Sequence, residues 1–228
     1  MSGNRHSYRG VPLIVLAAAL AFAGGATDIA TFTQLGEVFC SVMTGNLVLL
    51  GLAIARASGD SAAHTAVAFA GYIAGAALGS RIGERSHRED VLWPAPVTET
   101  LLLELLAFAG FTVGWELTGS HPTGAWQLGL LALAALAMGL QSAAMRNVGT
   151  TLSTTYLTGT LTSTVASIVT RGQPGRRNRL NVAVLVAAAA GAAAGGALLA
   201  ALPAALPFLP MSALTGVVTI VMTAGTRQ

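Results

Sequence analysis

The sequence predicts an all-α, polytopic membrane protein: six transmembrane helices arranged as a 3+3 inverted repeat, with a short broken or re-entrant helix in each half. Three observations carry that expectation: scarce charge, long apolar runs at regular spacing, and a correspondence of the chain with itself at one offset. Of 228 residues, 54% are hydrophobic and 9% charged, where a soluble domain carries about 25% charged residues. The formal charge is +3, the pI is near 9.8 and the mean hydropathy is +0.68. All 12 basic residues are Arg. So few charges cannot clothe a solvated enzyme surface, and they argue against nucleic acid as a partner despite the basic pI. The single cysteine, Cys40, excludes a disulfide framework and a cysteine-built metal site.

A membrane-crossing helix needs about 20 mostly apolar residues. Six stretches qualify: about 11–33, 62–83, 97–118, 125–146, 180–202 and 206–224. Arg5 and Arg9 ahead of the first run give it the outline of a signal peptide. The run continues to Phe32, however, and further spans follow, so it reads as a crossing. Two shorter stretches, about 40–56 and 154–170, begin with polar residues. Thr44 to Arg56 is only about 20 Å of helix at 1.5 Å per residue, too little to span comfortably.

Basic residues prefer cytoplasmic loops. If the N-terminus is cytoplasmic and only the six long stretches cross, Arg56 alone falls outside. Arg5, Arg9, Arg81, Arg85, Arg88, Arg146, Arg171, Arg176, Arg177, Arg179 and Arg227 all fall inside. The expected setting is the bacterial cytoplasmic membrane, with both termini cytoplasmic. The basic run from Gly172 to Arg179 reads as a topology anchor that touches anionic lipid head groups.

Sliding the chain against itself by 114 residues lays Thr44-Gly45-Asn46-Leu47 over Thr158-Gly159-Thr160-Leu161, Gly25 over Gly139 and Ala30 over Ala144. The same shift superposes the long spans in order. The unit is a span, a Thr-Gly short helix and two more spans: 1–119 holds the first, with its short helix at about 40–56. Residues 120–228 hold the second, with its short helix at about 154–170. An odd number of crossings per unit forces the second to insert upside down, the plan of many transporters and some channels. Irregular backbone at membrane depth persists only where protein buries it or it lines a watery cavity. The two Thr-Gly ends are therefore expected to approach each other. Their unpaired N–H groups and partial positive charge would face a solute, with Thr44, Gly45, Asn46, Thr158, Gly159 and Thr160 lining its route. The plainer alternative is that these residues cap two surface helices.

Polar residues inside spans are functional candidates by default. Asp28, just after Gly24-Gly25, is expected to contact solute or a proton; otherwise it caps a broken helix or pairs with Arg. Glu104 sits mid-span in Leu101-Leu102-Leu103-Glu104-Leu105-Leu106 and should face inward, as a proton relay or an interhelical hydrogen bond. The 114 shift lays Thr27 and Asp28 over Gln141 and Ser142, which join the expected pathway. Residues 117–228 contain no Asp or Glu, so the halves differ chemically. Glu37, in the turn before the first short helix, reads as a guard of an external mouth. The hydroxyls between Thr150 and Thr164 either line a route or bond their own helix backbone. Gly71-x3-Gly75-x3-Gly79 and Gly191-x3-Gly195 permit close helix approach, within the chain or along a homodimer seam.

No zinc-binding His pair, phosphate loop or nucleophile elbow appears, so no cofactor, metal or enzymatic activity is expected. Gly25-Ala26-Thr27-Asp28, followed by Phe39 and then Thr44-Gly45-Asn46-Leu47-Val48-Leu49-Leu50-Gly51, resembles the YoaK-like family of bacterial inner-membrane proteins. The resemblance covers nearly the whole chain and implies a compact multi-span protein suspected of transport, with no agreed substrate. The expected function is secondary transport of a small solute, with proton coupling through Asp28 or Glu104. A passive channel for a small ion or neutral solute is the alternative. A membrane-embedded enzyme using Asp28 or Glu104 as acid or base is the third reading.

Overall fold

The computed structural model describes residues 7–8, 11–84, 93–148, 157–171 and 176–225. A two-residue antiparallel pairing of β1 (Ser7–Tyr8) with β2 (Val11–Pro12) precedes the helices. The first helix therefore begins after Pro12, slightly inside the apolar run. The helices are α1 (Leu13–Gln34), α2 (Met43–Ala55), α3 (Gly59–Gly83), α4 (Ala95–Leu117), α5 (Gly124–Arg146), α6 (Leu157–Arg171), α7 (Arg176–Ala201) and α8 (Phe208–Gly225), with a 3-10 turn at Pro203–Ala205. Six of them are long and apolar enough to cross a membrane, and these match the six expected spans within a few residues. α2 and α6 are the two short helices, of 13 and 15 residues.

Local chemistry sets several of the ends. Ser58 caps α3 by accepting the Ser61 N–H, and Asp60 in the first turn suits the positive end of the helix dipole. α4 follows Pro94, with Pro96 in its first turn, where no N–H is missed. The tight α4–α5 turn places Gly119, Ser120 and Gly124 in the left-handed region, a conformation that glycine adopts without steric cost.

Hydrogen bonds between the ends fix the directions of the long helices. Gln127, at the start of α5, donates to the Gln34 carbonyl at the end of α1 (2.9 Å). His64, near the start of α3, reaches the Gln127 side-chain oxygen (3.3 Å). Trp115, near the end of α4, donates to the Pro203 carbonyl between α7 and α8 (3.1 Å). At the opposite end, Gly83 of α3 packs on Asn147, which follows α5. The six long helices thus alternate in direction, and α1 and α5 run oppositely.

The most extensive packing joins α3 to α5 and α1 to α7, followed by α4 on α5 and α1 on α8. Each of these pairs takes one helix from 1–119 and one from 120–228. The two dominant pairs are built on glycine. In the α3–α5 pair, Gly75 lies against the Leu136 carbonyl and Gly79 against Leu140 and Ala143, while Gly139 answers against the Tyr72 carbonyl. In the α1–α7 pair, Gly191 lies against the Phe22 carbonyl and Gly195 against Ala26 and Ile29, while Gly25 answers against the Ala188 carbonyl. A methyl on Gly25, Gly75, Gly139 or Gly191 would overlap that backbone. The two sets correspond residue by residue. Phe22, Gly25, Ala26 and Ile29 become Leu136, Gly139, Leu140 and Ala143 at the 114 offset, and Gly75 and Gly79 become Gly191 and Gly195 two residues further on. The glycines that could have formed a dimer seam are occupied within the chain.

Replacing Gly191 by Leu should therefore destabilise the protein by about 1–3 kcal/mol or more, the cost of overpacking a close contact. Gly216→Ala, at a helical position with open space around it, should leave stability unchanged or raise it slightly. Thermal unfolding in detergent reads both; an unaltered midpoint for Gly191→Leu would refute the close-contact account.

Candidate functional site

The chain is irregular between α1 and α2, over residues 35–42, and one carboxylate organises that irregularity. Asp28, two turns before the end of α1, accepts the backbone N–H of Cys40 (3.0 Å) and of Ser41 (2.9 Å) on Oδ1. The Cys40 thiol also donates to Oδ1 (3.3 Å), and the Ser41 hydroxyl donates to Oδ2. Burial, with the Asp28 charge beside it, pushes the Cys40 thiol well up, so the thiol stays a protonated donor. Hydrogen bonds to an ionised acceptor are roughly twice as strong as neutral ones. Asp28 thus holds the loop against α1.

Asn46 makes the second clamp. Its side-chain oxygen accepts the Phe39 N–H (2.9 Å) and its amide donates to the Phe39 carbonyl (2.6 Å). Both polar groups of one loop peptide are thereby satisfied by a fully buried side chain. The Phe39 ring stacks on Phe32 of α1, with centroids 4.9 Å apart, and lies over Gly45. A larger residue at 45 would press on that ring. Asp28, Gly45 and Asn46 are thus brought together, through the loop they fix. Thr44 is exposed, and α2 has no side-chain cap.

The second-half candidates are placed differently. Gln141 is buried in α5 and donates across to the Leu20 carbonyl of α1 (3.2 Å). Ser142 accepts the Tyr72 hydroxyl from α3 (2.9 Å). Thr158 is exposed, and Gly159 and Thr160 are half-buried. Thr162 and Thr164 return their hydroxyls to the Thr158 and Thr160 carbonyls. Ser167 and Ser163 face Asn178 and Asn181 of α7. Each short helix packs on the long helix that follows it, and α2 and α6 form no packed pair with each other. The hydroxyls from Thr150 to Tyr156 lie outside the described residues.

Glu104 stands apart. It is 0% exposed, and neither carboxyl oxygen has a hydrogen-bond partner among the described residues. It lies on the buried face of α4 with Thr100, Ala107, Phe108 and Phe111.

A cavity of about 340 Å³ opens where α1 ends and α5 begins; Thr33, Gln34, Glu37, His121, Thr123 and Gln127 line it. Glu37, expected at an external mouth, does line this opening, with its backbone held in the left-handed region (φ 57°). His64 is buried beside it, with Nδ1 near the Asp60 carbonyl (2.9 Å) and its ring against Gly36. His64, Gln127, Tyr72, Cys40 and Ser41 all escaped the sequence reading. Cys40 and Ser41 serve through backbone N–H groups, which any residue supplies, and through a thiol and a hydroxyl whose meeting with Asp28 depends on the path of the loop.

A family model described as "Protein of unknown function (DUF1275)" matches residues 16–221. The "UPF0700 transmembrane protein YoaK" of Bacillus subtilis (strain 168) is 33% identical over 153 residues, which is 65% of this chain and 64% of that protein. The match thus spans less than two thirds of that relative's length. No solved structure matches the chain.

Asn46→Ala should cost about 1–3 kcal/mol, because it strands a buried N–H and carbonyl. Asp28→Ala should cost at least as much. Thr44→Ala, at an exposed position, should stay within about 0.5 kcal/mol of the parent. Detergent unfolding midpoints check the ranking, and a Thr44→Ala effect equal to that of Asn46→Ala would contradict it.

Proposed function

This chain belongs to the DUF1275 family of multi-span membrane proteins, described only as of unknown function, and we propose that it is a small-solute secondary transporter of the bacterial cytoplasmic membrane. The observation that carries this reading is the matched glycine contact of α1 with α7 and of α3 with α5. Equivalent residues make equivalent contacts, while α1 and α5, the first spans of their halves, run in opposite directions. That combination supports one unit used twice in inverted orientation. Transporters of this plan alternate access by rocking one set of helices against the other around a central site. Two sets of parallel, close-packed helices suit such rocking, because each pair moves as a body.

In this reading, Asp28, Gly45 and Asn46 hold the first broken segment in place. Thr44 and Thr158, exposed at the starts of α2 and α6, remain free to meet solute. The cavity lined by Glu37, His121 and Gln127 is the outer mouth. A polar solute fits this lining of hydroxyl, carboxamide and carboxylate groups better than an apolar one. N and C termini lie on the cytoplasmic side, the side opposite this mouth.

Orientation is testable with single cysteines and a membrane-impermeant maleimide, because the native Cys40 is buried. Cysteines at Ser58, Thr123 and Leu202 should label in intact cells; cysteines at Glu84 and Asn147 should label only after permeabilisation. Labelling of both groups from one face would overturn the alternating arrangement. For activity, a panel of polar solutes should contain one that raises the unfolding midpoint, because ligand binding stabilises the folded form. Proteoliposomes given a pH gradient should concentrate that solute; flux that runs only downhill would assign a channel instead.

A further inference from the structure

Building on the transporter reading, we infer that the coupling ion is a proton and that Glu104 alone carries it, Asp28 being a structural clamp. Asp28 and Glu104, the two candidate carboxyl groups, differ in what surrounds them. Both oxygens of Asp28 are engaged by donors of the α1–α2 loop, so protonating it would loosen the loop. Glu104 has no such duty, as neither of its oxygens has a partner among the described residues.

Glu104 is also the one acidic side chain fully buried among the described residues. An ionised carboxylate buried without donors or a counter-charge is strongly disfavoured, so this packing accommodates the neutral acid. The surrounding helices supply no counter-charge. On α5 the charged group is Arg146, exposed at the helix end. On α3 the titratable groups are Asp60, His64, Tyr72 and Arg81. Asp60 and Arg81 are exposed, His64 lies beside Asp60 and Gln127, and Tyr72 is bonded to Ser142. α8 has none among its described residues, and Glu99 and Glu116 of α4 itself are exposed.

The position of Glu104 is as telling as its surroundings. Trp115 meets Pro203, and Thr112 meets Met211 (3.8 Å), so α4 and α8 pack antiparallel. About two turns further along both helices, Glu104 comes level with buried Val218. At the 114 offset these two are the same position of the unit. The carboxyl group therefore occurs once per molecule, on the buried face of the helix that packs on α5 and α8. One carboxyl group suffices to carry a proton, whereas a hard metal cation takes about six converging oxygen ligands.

The step balances simply. In an arrangement that admits water to the α4–α8 contact, the Glu104 O–H bond breaks and the proton leaves to water, with the electron pair staying on the carboxylate. The reverse reaction, with a proton from the other face, restores the neutral acid and lets the helices close again. Proton release is thereby tied to the opening of that contact.

Dicyclohexylcarbodiimide reacts with protonated carboxylic acids in apolar surroundings and tests this on the whole protein in proteoliposomes. Mass spectrometry should find the adduct on Glu104 and not on Asp28, with the labelling rate falling as the carboxyl group is deprotonated at higher pH. Sodium ions should not protect the site. Glu104→Gln should lose the label and the response of uptake to a pH gradient, while Glu104→Asp should keep both in part. Label on Asp28, absence of label on Glu104, protection by sodium or gradient-driven uptake by Glu104→Gln would each overturn the assignment. Normal labelling of Glu104 in a protein that moves no solute would end both the coupling claim and the transport reading, whereas sodium protection alongside active uptake would end only the proton claim.

Discussion

Close contact between helix backbones, made possible by glycine, is the constraint on which this architecture rests. Lipid is as apolar as a leucine side chain, so helices inside a membrane gain little from hydrophobic burial and associate mainly through van der Waals packing. Gly25, Gly75, Gly139 and Gly191 each set helix backbone directly against a carbonyl of the neighbouring helix. Once α1 is fixed to α7 and α3 to α5, the outer helices α4 and α8 find their places on α5 and α1. There larger side chains complete the packing: Phe111 stacks on Trp115 with centroids 5.7 Å apart, and Phe108 and Trp115 are fully buried. A side chain at any of the four glycines would push its own helix pair apart.

The two halves share this frame but not its chemistry. Where the first half has Asp28 holding a loop, the second has Ser142 bonded to Tyr72. Asn46, which satisfies both polar groups of Phe39, corresponds to Thr160. Glu104 corresponds to Val218. Among the described residues the clamp and the isolated carboxyl group are seen in the first half, and α6 is tied to α7 by side-chain contacts of Ser163 and Ser167 with Asn181 and Asn178.

The large features were readable in the sequence because each depends on many residues. Six apolar runs were found within a few residues of the six long helices, since the length needed to cross a bilayer leaves little freedom. The 114 offset lays Gly25 over Gly139, and both lie where helix backbones touch. The membership indicated by Gly25-x-x-Asp28 and Thr44-Gly45-Asn46 is borne out by the family match. Less legible was what those motif residues do. Asp28 and Asn46 read as polar groups at membrane depth, which equally describes a solute contact and a loop clamp. The choice depends on where Phe39, Cys40 and Ser41 fold back, and no periodicity encodes that path. The 2-residue difference between the offsets of α3–α7 and α1–α5 was likewise invisible until the contacting carbonyls could be compared.

The exchange of partners between halves has a consequence for how the chain is made. Helix α1 is made well before its main partner, α7, which follows only after roughly 165 further residues, about ten to thirty seconds of synthesis at typical rates. During that interval the face around Gly25 has no mate in the nascent chain and rests against lipid or the insertion machinery. A segment threaded into the bilayer before its partner exists is therefore late to reach its final setting, and neither half can finish assembling without the other.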